Sequence, residues 1–216
     1  MKKFLLLSLL LLFTVVIVGC GSSTPAEKPA EKPAEKSAQT TPAKKIAYEI
    51  SKIDEDSSGE VKKFKYHVCV KEEANEDQLK VIAEEVVAKA KAETPFNALT
   101  IYLYDRPEYV GKMATLGTVV YAVNGDADKA SDVKTGDYAK MTYKWNLRKV
   151  DWSKRPSDIE MKIYSAWEKA KQSAKETGQE VSEDVRTSEL AKQLNITADK
   201  IKEAINKNVE WVKENT

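Results

Sequence analysis

The sequence predicts an α+β fold: a small, mainly antiparallel sheet in the order β-β-α-β-β-β with one packed helix, followed by a three-helix C-terminal module with helix-turn-helix-like geometry. Three observations predict it. Between residues 46 and 147 lie short stretches patterned as strands, bounded by turn residues. One stripe at helical spacing, Leu79, Ile82, Ala83, Val86, Val87 and Ala90, interrupts them. Beyond Pro156 the apolar spacing is helical throughout.

Taken in order, residues 1–19 read as a signal peptide: Lys2 and Lys3 precede an apolar run over 4–18 that stops at Gly19. The run is shorter than the roughly 17–25 apolar residues a comfortable span requires. Ile17-Val18-Gly19-Cys20 resembles the bacterial lipoprotein signal, which implies cleavage before Cys20 and a diacyl or triacyl anchor, palmitate included, on that cysteine. Two or more chains suffice for stable membrane attachment. Gly21 stands where an aspartate would, by the same resemblance, retain a Gram-negative lipoprotein at the inner membrane. The expected location is therefore the cell membrane or outer membrane, lipid-anchored on the extracytoplasmic side.

Residues 20–45 form a linker in which Pro-Ala-Glu-Lys repeats at 25–28, 29–32 and 33–36. Such a composition buries no core. If wholly polyproline-like, about 25 residues would reach on the order of 80 Å, and far less as a coiled linker. Lipidation of Cys20 leaves Cys69 without a cysteine partner, so no intramolecular disulfide is expected.

Residues 46–150 hold the α+β domain. Ile46, Tyr48 and Ile50 alternate with Ala47, Glu49 and Ser51, and Phe64, Tyr66, Val68 and Val70 share one side of the next strand. The turn chemistry of residues 54–59 between them predicts an antiparallel hairpin. Asn75, with Gln78 three residues on, caps the helix, which ends before Pro95. Residues 96–104 are apolar at nearly every position and read as a central strand. Further strands are expected over 116–123 and 138–147, the last with Ala139, Met141, Tyr143, Trp145 and Leu147 facing in.

Pro95-Phe-Asn-Ala-Leu-Thr-Ile-Tyr-Leu-Tyr-Asp105, Leu116-Gly-Thr-Val-Val-Tyr-Ala-Val-Asn-Gly-Asp126 and Thr135-Gly-Asp-Tyr138 resemble the signature runs of a bacterial and phage domain family of unknown function, over about residues 46–147. The resemblance implies a domain and transfers no activity.

Residues 156–216 form the helical module. Ser157 and Glu160 make a capping box for a helix with Ile159, Ile163, Ala166, Trp167, Ala170 and Ala174 on one face. A second helix carries Val185, Leu190, Ala191 and Leu194, and Thr197 caps a third with Ile201, Ala204, Ile205 and Val212. The run 187–201 resembles a helix-turn-helix, with Ala191 where two helices touch, Asn195 in the turn and Ile201 as a core plug. Asp199 and Glu203 are mixed among the lysines of its last helix, and no arginine is offered for guanine. Formal net charge is +1, and removing Lys2 and Lys3 with the leader takes it to −1. Neither feature suits a nucleic-acid partner, and none is expected.

Candidate chemistry is sparse. His67 and Cys69 share the Lys63/Lys65 face of their strand, expected as a partly covered surface pair; two apart, they sit about 7 Å apart, too far for a nucleophile and its base. Asp126, Asp128 and Asp132 supply oxygen donors on one loop but lack the EF-hand order, and turn chemistry explains them without a metal. Tyr102, Tyr104, Asp105, Arg106 and Tyr109 gather at the end of the central strand as a patch for a peptide or glycan. No cofactor is expected. The function expected is a membrane-anchored envelope lipoprotein acting as a binding or protein-interaction module, with an envelope protein or glycan as partner. Its alternatives are an envelope hydrolase whose carboxylates near Asp105 and Asp126 converge, and DNA binding through the C-terminal helices, which suits an exported protein badly.

Overall fold

The computed structural model describes residues 45–178 and 181–215. The predicted leader, Cys20 and the Pro-Ala-Glu-Lys repeats lie outside the described residues. Five strands, β1 (Tyr48–Glu55), β2 (Lys63–Val70), β3 (Ala98–Tyr104), β4 (Gly117–Val123) and β5 (Met141–Leu147), form one sheet in sequence order. β1 and β2 are the predicted antiparallel hairpin. Only β2 and β3 are parallel, since the helix between them, α1 (Glu76–Glu93), carries the chain back along the sheet.

The Asn75 side chain accepts the Gln78 N–H while the Gln78 side chain accepts the Asn75 N–H, both at 2.9 Å, so two N-terminal donors of α1 are satisfied locally. Its whole predicted stripe is buried, against Val68, Val70, Leu99, Ile101 and Leu103 on the first face of the sheet. Toward β5 that core continues as aromatic rings, Phe96, Tyr121, Tyr138, Tyr143 and Trp145, and the Lys91 ammonium sits 4.3 Å over the Tyr121 ring. β5 begins at Met141, later than the pattern suggests, because the Met141 N–H turns back to the Tyr138 carbonyl.

Three helices follow, α2 (Asp158–Glu176), α3 (Glu183–Leu194) and α4 (Ala198–Glu214). Ser157 and Glu160 form the predicted capping box and Thr197 caps α4. Asn195 adopts φ 53°, and the N–H groups of Asn195 and Ile196 close on the Lys192 and Ala191 carbonyls, ending α3 with its last carbonyls paired. Trp167, Leu190, Ala191, Ile201 and Ile205 fill the space between the helices. Among the described residues no helix is long and apolar enough to cross a membrane.

The second face of the sheet departs from expectation. His67 and Cys69 are 6% and 5% exposed, where a partly covered surface pair was expected. Tyr109 and Ala114 from the segment after β3, Met161 of α2 and Trp211 of α4 close over Cys69 and Tyr104 as a second core. The described residues accordingly form one compact unit.

Candidate functional site

Four of the five residues predicted as an aromatic-and-charged patch are buried: Tyr104, Asp105 and Tyr109 at 2% exposure and Arg106 at 8%. They bind the protein's own helices. Asp105 Oδ1 accepts the Thr115 hydroxyl at 2.5 Å and the Trp211 indole N–H at 3.4 Å, while Oδ2 accepts Arg155 Nε at 2.9 Å. Arg155 Nη2 also donates to the Asp105 carbonyl at 2.6 Å. Beside it, Arg106 Nη1 donates to Asp158 at 2.7 Å and Nη2 to the Pro156 carbonyl, fastening the start of α2. The Tyr109 hydroxyl donates to Asn208 Oδ1 at 2.9 Å, and the Asn208 amide donates in turn to the Ala204 carbonyl within α4. Burial pushes the Tyr109 phenol well above its ordinary pKa, which suits a neutral donor in a clasp.

The hydrolase arrangement does not form. β3 pairs Leu103 with Gly117 and Ala98 with Ala122, so Asp105 and Asp126 leave the sheet at opposite ends. A seven-residue strand separates them, about 20 Å. The Asp126 carboxylate accepts the Asp128 N–H at 3.0 Å, which shapes the turn, and Asp128 and Asp132 are at least partly exposed. Among the described residues no group of three His, Cys, Asp or Glu side chains is placed to hold a metal ion.

Openings remain on the second face, one of about 370 Å³ over Val120 and Asn146 beside the Asp126 turn, and a cleft of about 460 Å³ floored by β2, β3 and β4 and walled by residues 111–114 and Arg148. Its centre is a hydrogen-bonded chain. A β-bulge between Ile50 and Lys52 shifts the register of β1, so that Ile50 and Ile53 share the α1 face while Lys52 and Asp54 lie on the cleft face. Asp54 thereby reaches His67 on the neighbouring strand, with Oδ2 3.0 Å from Nε2. His67 Nδ1 is 2.8 Å from the Tyr104 hydroxyl. The chain is satisfied end to end when a neutral His67 donates from Nε2 to Asp54 and accepts at Nδ1 from Tyr104.

This chain fixes the His67 ring, and the half-exposed Tyr102 ring stacks on it at 5.1 Å and 15°. Both ring nitrogens of His67 are thus occupied. Cys69 instead accepts the Ser51 hydroxyl at 3.1 Å, and burial pushes its thiol pKa up, so a Cys–His nucleophile pair is not assembled.

The Lys52 ammonium beside Asp54, with a smaller contribution from His67, holds that carboxyl below the ordinary aspartate range. A carboxyl with a lowered folded pKa stabilises the fold above its unfolded pKa, and that stability is lost as pH falls through the folded value. In urea titrations from pH 7 down to about pH 3, the midpoint of wild type is expected to fall more steeply than that of Asp54→Asn. Parallel acid limbs would remove Asp54 from the chain.

Of the cleft residues, sequence pattern singles out His67, Tyr102 and Tyr104. It misses Asp54, although the odd spacing of Ile50 and Ile53 marks the bulge, and it misses Lys112 and Arg148, which no local pattern marks. No known family, curated protein or solved structure matches the chain. The likeness over residues 46–147 remains a resemblance.

Proposed function

We propose that this chain is a membrane-anchored lipoprotein of the cell envelope whose folded part is a binding module, with the cleft over Tyr102 and His67 as its ligand-facing surface. The observation that carries this reading is the cleft itself. It is a part of the second face that the C-terminal helices and the segment after β3 leave open, and its floor is held by the Asp54–His67–Tyr104 chain. A site with a fixed floor loses little conformational entropy when it binds. The leader ending in Cys20 and the Pro-Ala-Glu-Lys repeats support the envelope half of the reading, since they would anchor the module and set it off the membrane. The exposed positions of α4 carry Asp199, Glu203, Glu210 and Glu214 against Lys200, Lys202 and Lys213, which favours binding through the cleft over binding of nucleic acid by α4.

The test places a photo-crosslinking residue at Met113, on the cleft rim, or at Lys175, exposed on α2, in intact cells, each with and without Cys20→Ala. The expected result is an adduct from Met113 alone, in the membrane fraction, that is lost or displaced to the soluble fraction with Cys20→Ala. Identical adducts from both positions would remove the cleft from the reading. An unchanged fraction with Cys20→Ala would remove the anchor.

A further inference from the structure

We propose that the cleft is a site for a phosphate monoester, in which Lys112 and Arg148 receive the dianion and the Tyr102 ring carries the organic group. This rests on the reading of the cleft as the ligand-facing surface. Its charges sort into two kinds. Lys52 is paired with Asp54 at 2.9 Å and Lys65 with Asp56 at 2.9 Å, so those two cations are neutralised within the protein. Lys112 and Arg148 have no ion-pair partner among the described residues. Asp54, the carboxylate lining the cleft, is already committed to Lys52 and His67.

Arg148 is the more telling of the two. Its backbone N–H is fixed to the Leu116 carbonyl at 3.2 Å, and its Nη1 is buried without a hydrogen-bond partner. Burial also lowers its pKa. Buried polar groups normally find a partner, and a guanidinium presents a fork of donors matched to two oxygens of one phosphate or carboxylate. Charge distinguishes the two anions. A carboxylate brings one negative charge to two unmatched cations, whereas a phosphate monoester brings about −1.5 to −2 at neutral pH. The half-exposed Tyr102 ring, fixed on His67 at 5.1 Å, offers a flat surface to an aromatic or sugar substituent. The cleft volume, about 460 Å³, falls within the span of small-ligand sites.

The full-length chain in detergent micelles is titrated with phenyl phosphate, phenol and inorganic phosphate while the Gly111 and Lys112 amides and the Arg148 side-chain N–H are followed by NMR. The same signals are followed in phosphatidylcholine bilayers with and without phosphatidic acid, whose headgroup is also a monoester. Phenyl phosphate is expected to move all three saturably, with affinity about tenfold lower in Arg148→Gln and in Lys112→Ala, and about tenfold lower for phenol. Movement with phosphatidic acid alone supports the same chemistry with a lipid as its source. Equal affinity for phenol and phenyl phosphate, or an unchanged affinity in Arg148→Gln, overturns the phosphate assignment and leaves the binding cleft standing. If no probe moves these signals while Met113 still gives its specific adduct, the phosphate inference falls alone; if that adduct is missing as well, both readings fall.

Discussion

Replacing Asp105 with alanine is expected to lower stability by about 3–5 kcal/mol, the range for breaking a buried ion pair from one side. The Asp105 side chain is fully buried and ties three separate parts of the chain together: Thr115 from the segment before β4, Arg155 ahead of α2, and Trp211 in α4. At an m-value of about 2 kcal/mol/M, the urea midpoint falls by about 2 M. Asp126→Ala, at the far end of the sheet, is the control and should stay within about 0.5 kcal/mol of wild type. Double-mutant cycles sharpen the expectation. Arg155 Nε lies 2.9 Å from the carboxylate and Trp211 Nε1 3.4 Å, so coupling to Arg155→Met should exceed coupling to Trp211→Phe. A loss below about 1 kcal/mol in Asp105→Ala would mean that the helices are held to the sheet by apolar contact alone, through Met161, Trp211 and Tyr109.

The α1 face, the caps and the α3–α4 turn were readable because their causes are local. Asn75 and Gln78 are three residues apart, Ser157 and Glu160 likewise, and the αL position at Asn195 follows directly on the helix it ends. The second face was not readable, because Lys63, Lys65, His67 and Cys69 alternate as a solvent-facing row would. His67 lies between Asp54 and the Tyr102 and Tyr104 rings of neighbouring strands, while what buries Cys69 arrives from Tyr109, Met161 and Trp211, far along the chain. The same distance explains the fate of the Asp105 cluster. Tyr104-Asp105-Arg106 marks a strand end rich in polar and aromatic groups, and that composition serves an external ligand or an internal clasp equally well. The partners of Asp105 lie 10, 50 and 106 residues away, which decides for the clasp and which no window of sequence contains. The cleft is therefore defined by what the helices leave uncovered.

Gly117→Ala is expected to cost about 3 kcal/mol or more, because two separate penalties meet at one atom. Gly117 holds φ 114°, a region costly to residues with a side chain, by about 1–3 kcal/mol. A Cβ there would also stand 2.3 Å from the Asn146 carbonyl oxygen and 2.8 Å from the Leu147 Cα. Both obstacles are backbone of β5, so no rotamer relieves them, and overpacking of this kind adds about 1–3 kcal/mol. Gly59 separates the two penalties. It holds φ 60°, and a Cβ added there would meet nothing within 4 Å, so Gly59→Ala should cost only the backbone share, about 1–2 kcal/mol. Thermal melts of both variants compare them directly, and equal losses would show that β5 yields to the added methyl. The cleft provides a second readout. Thr118 and Arg148, which line it, follow Gly117 and its β5 partner Leu147 directly in sequence. Displacing β5 at this point should therefore move the Arg148 side-chain signal in Gly117→Ala, while Gly59→Ala, in the β1–β2 turn, leaves that signal in place.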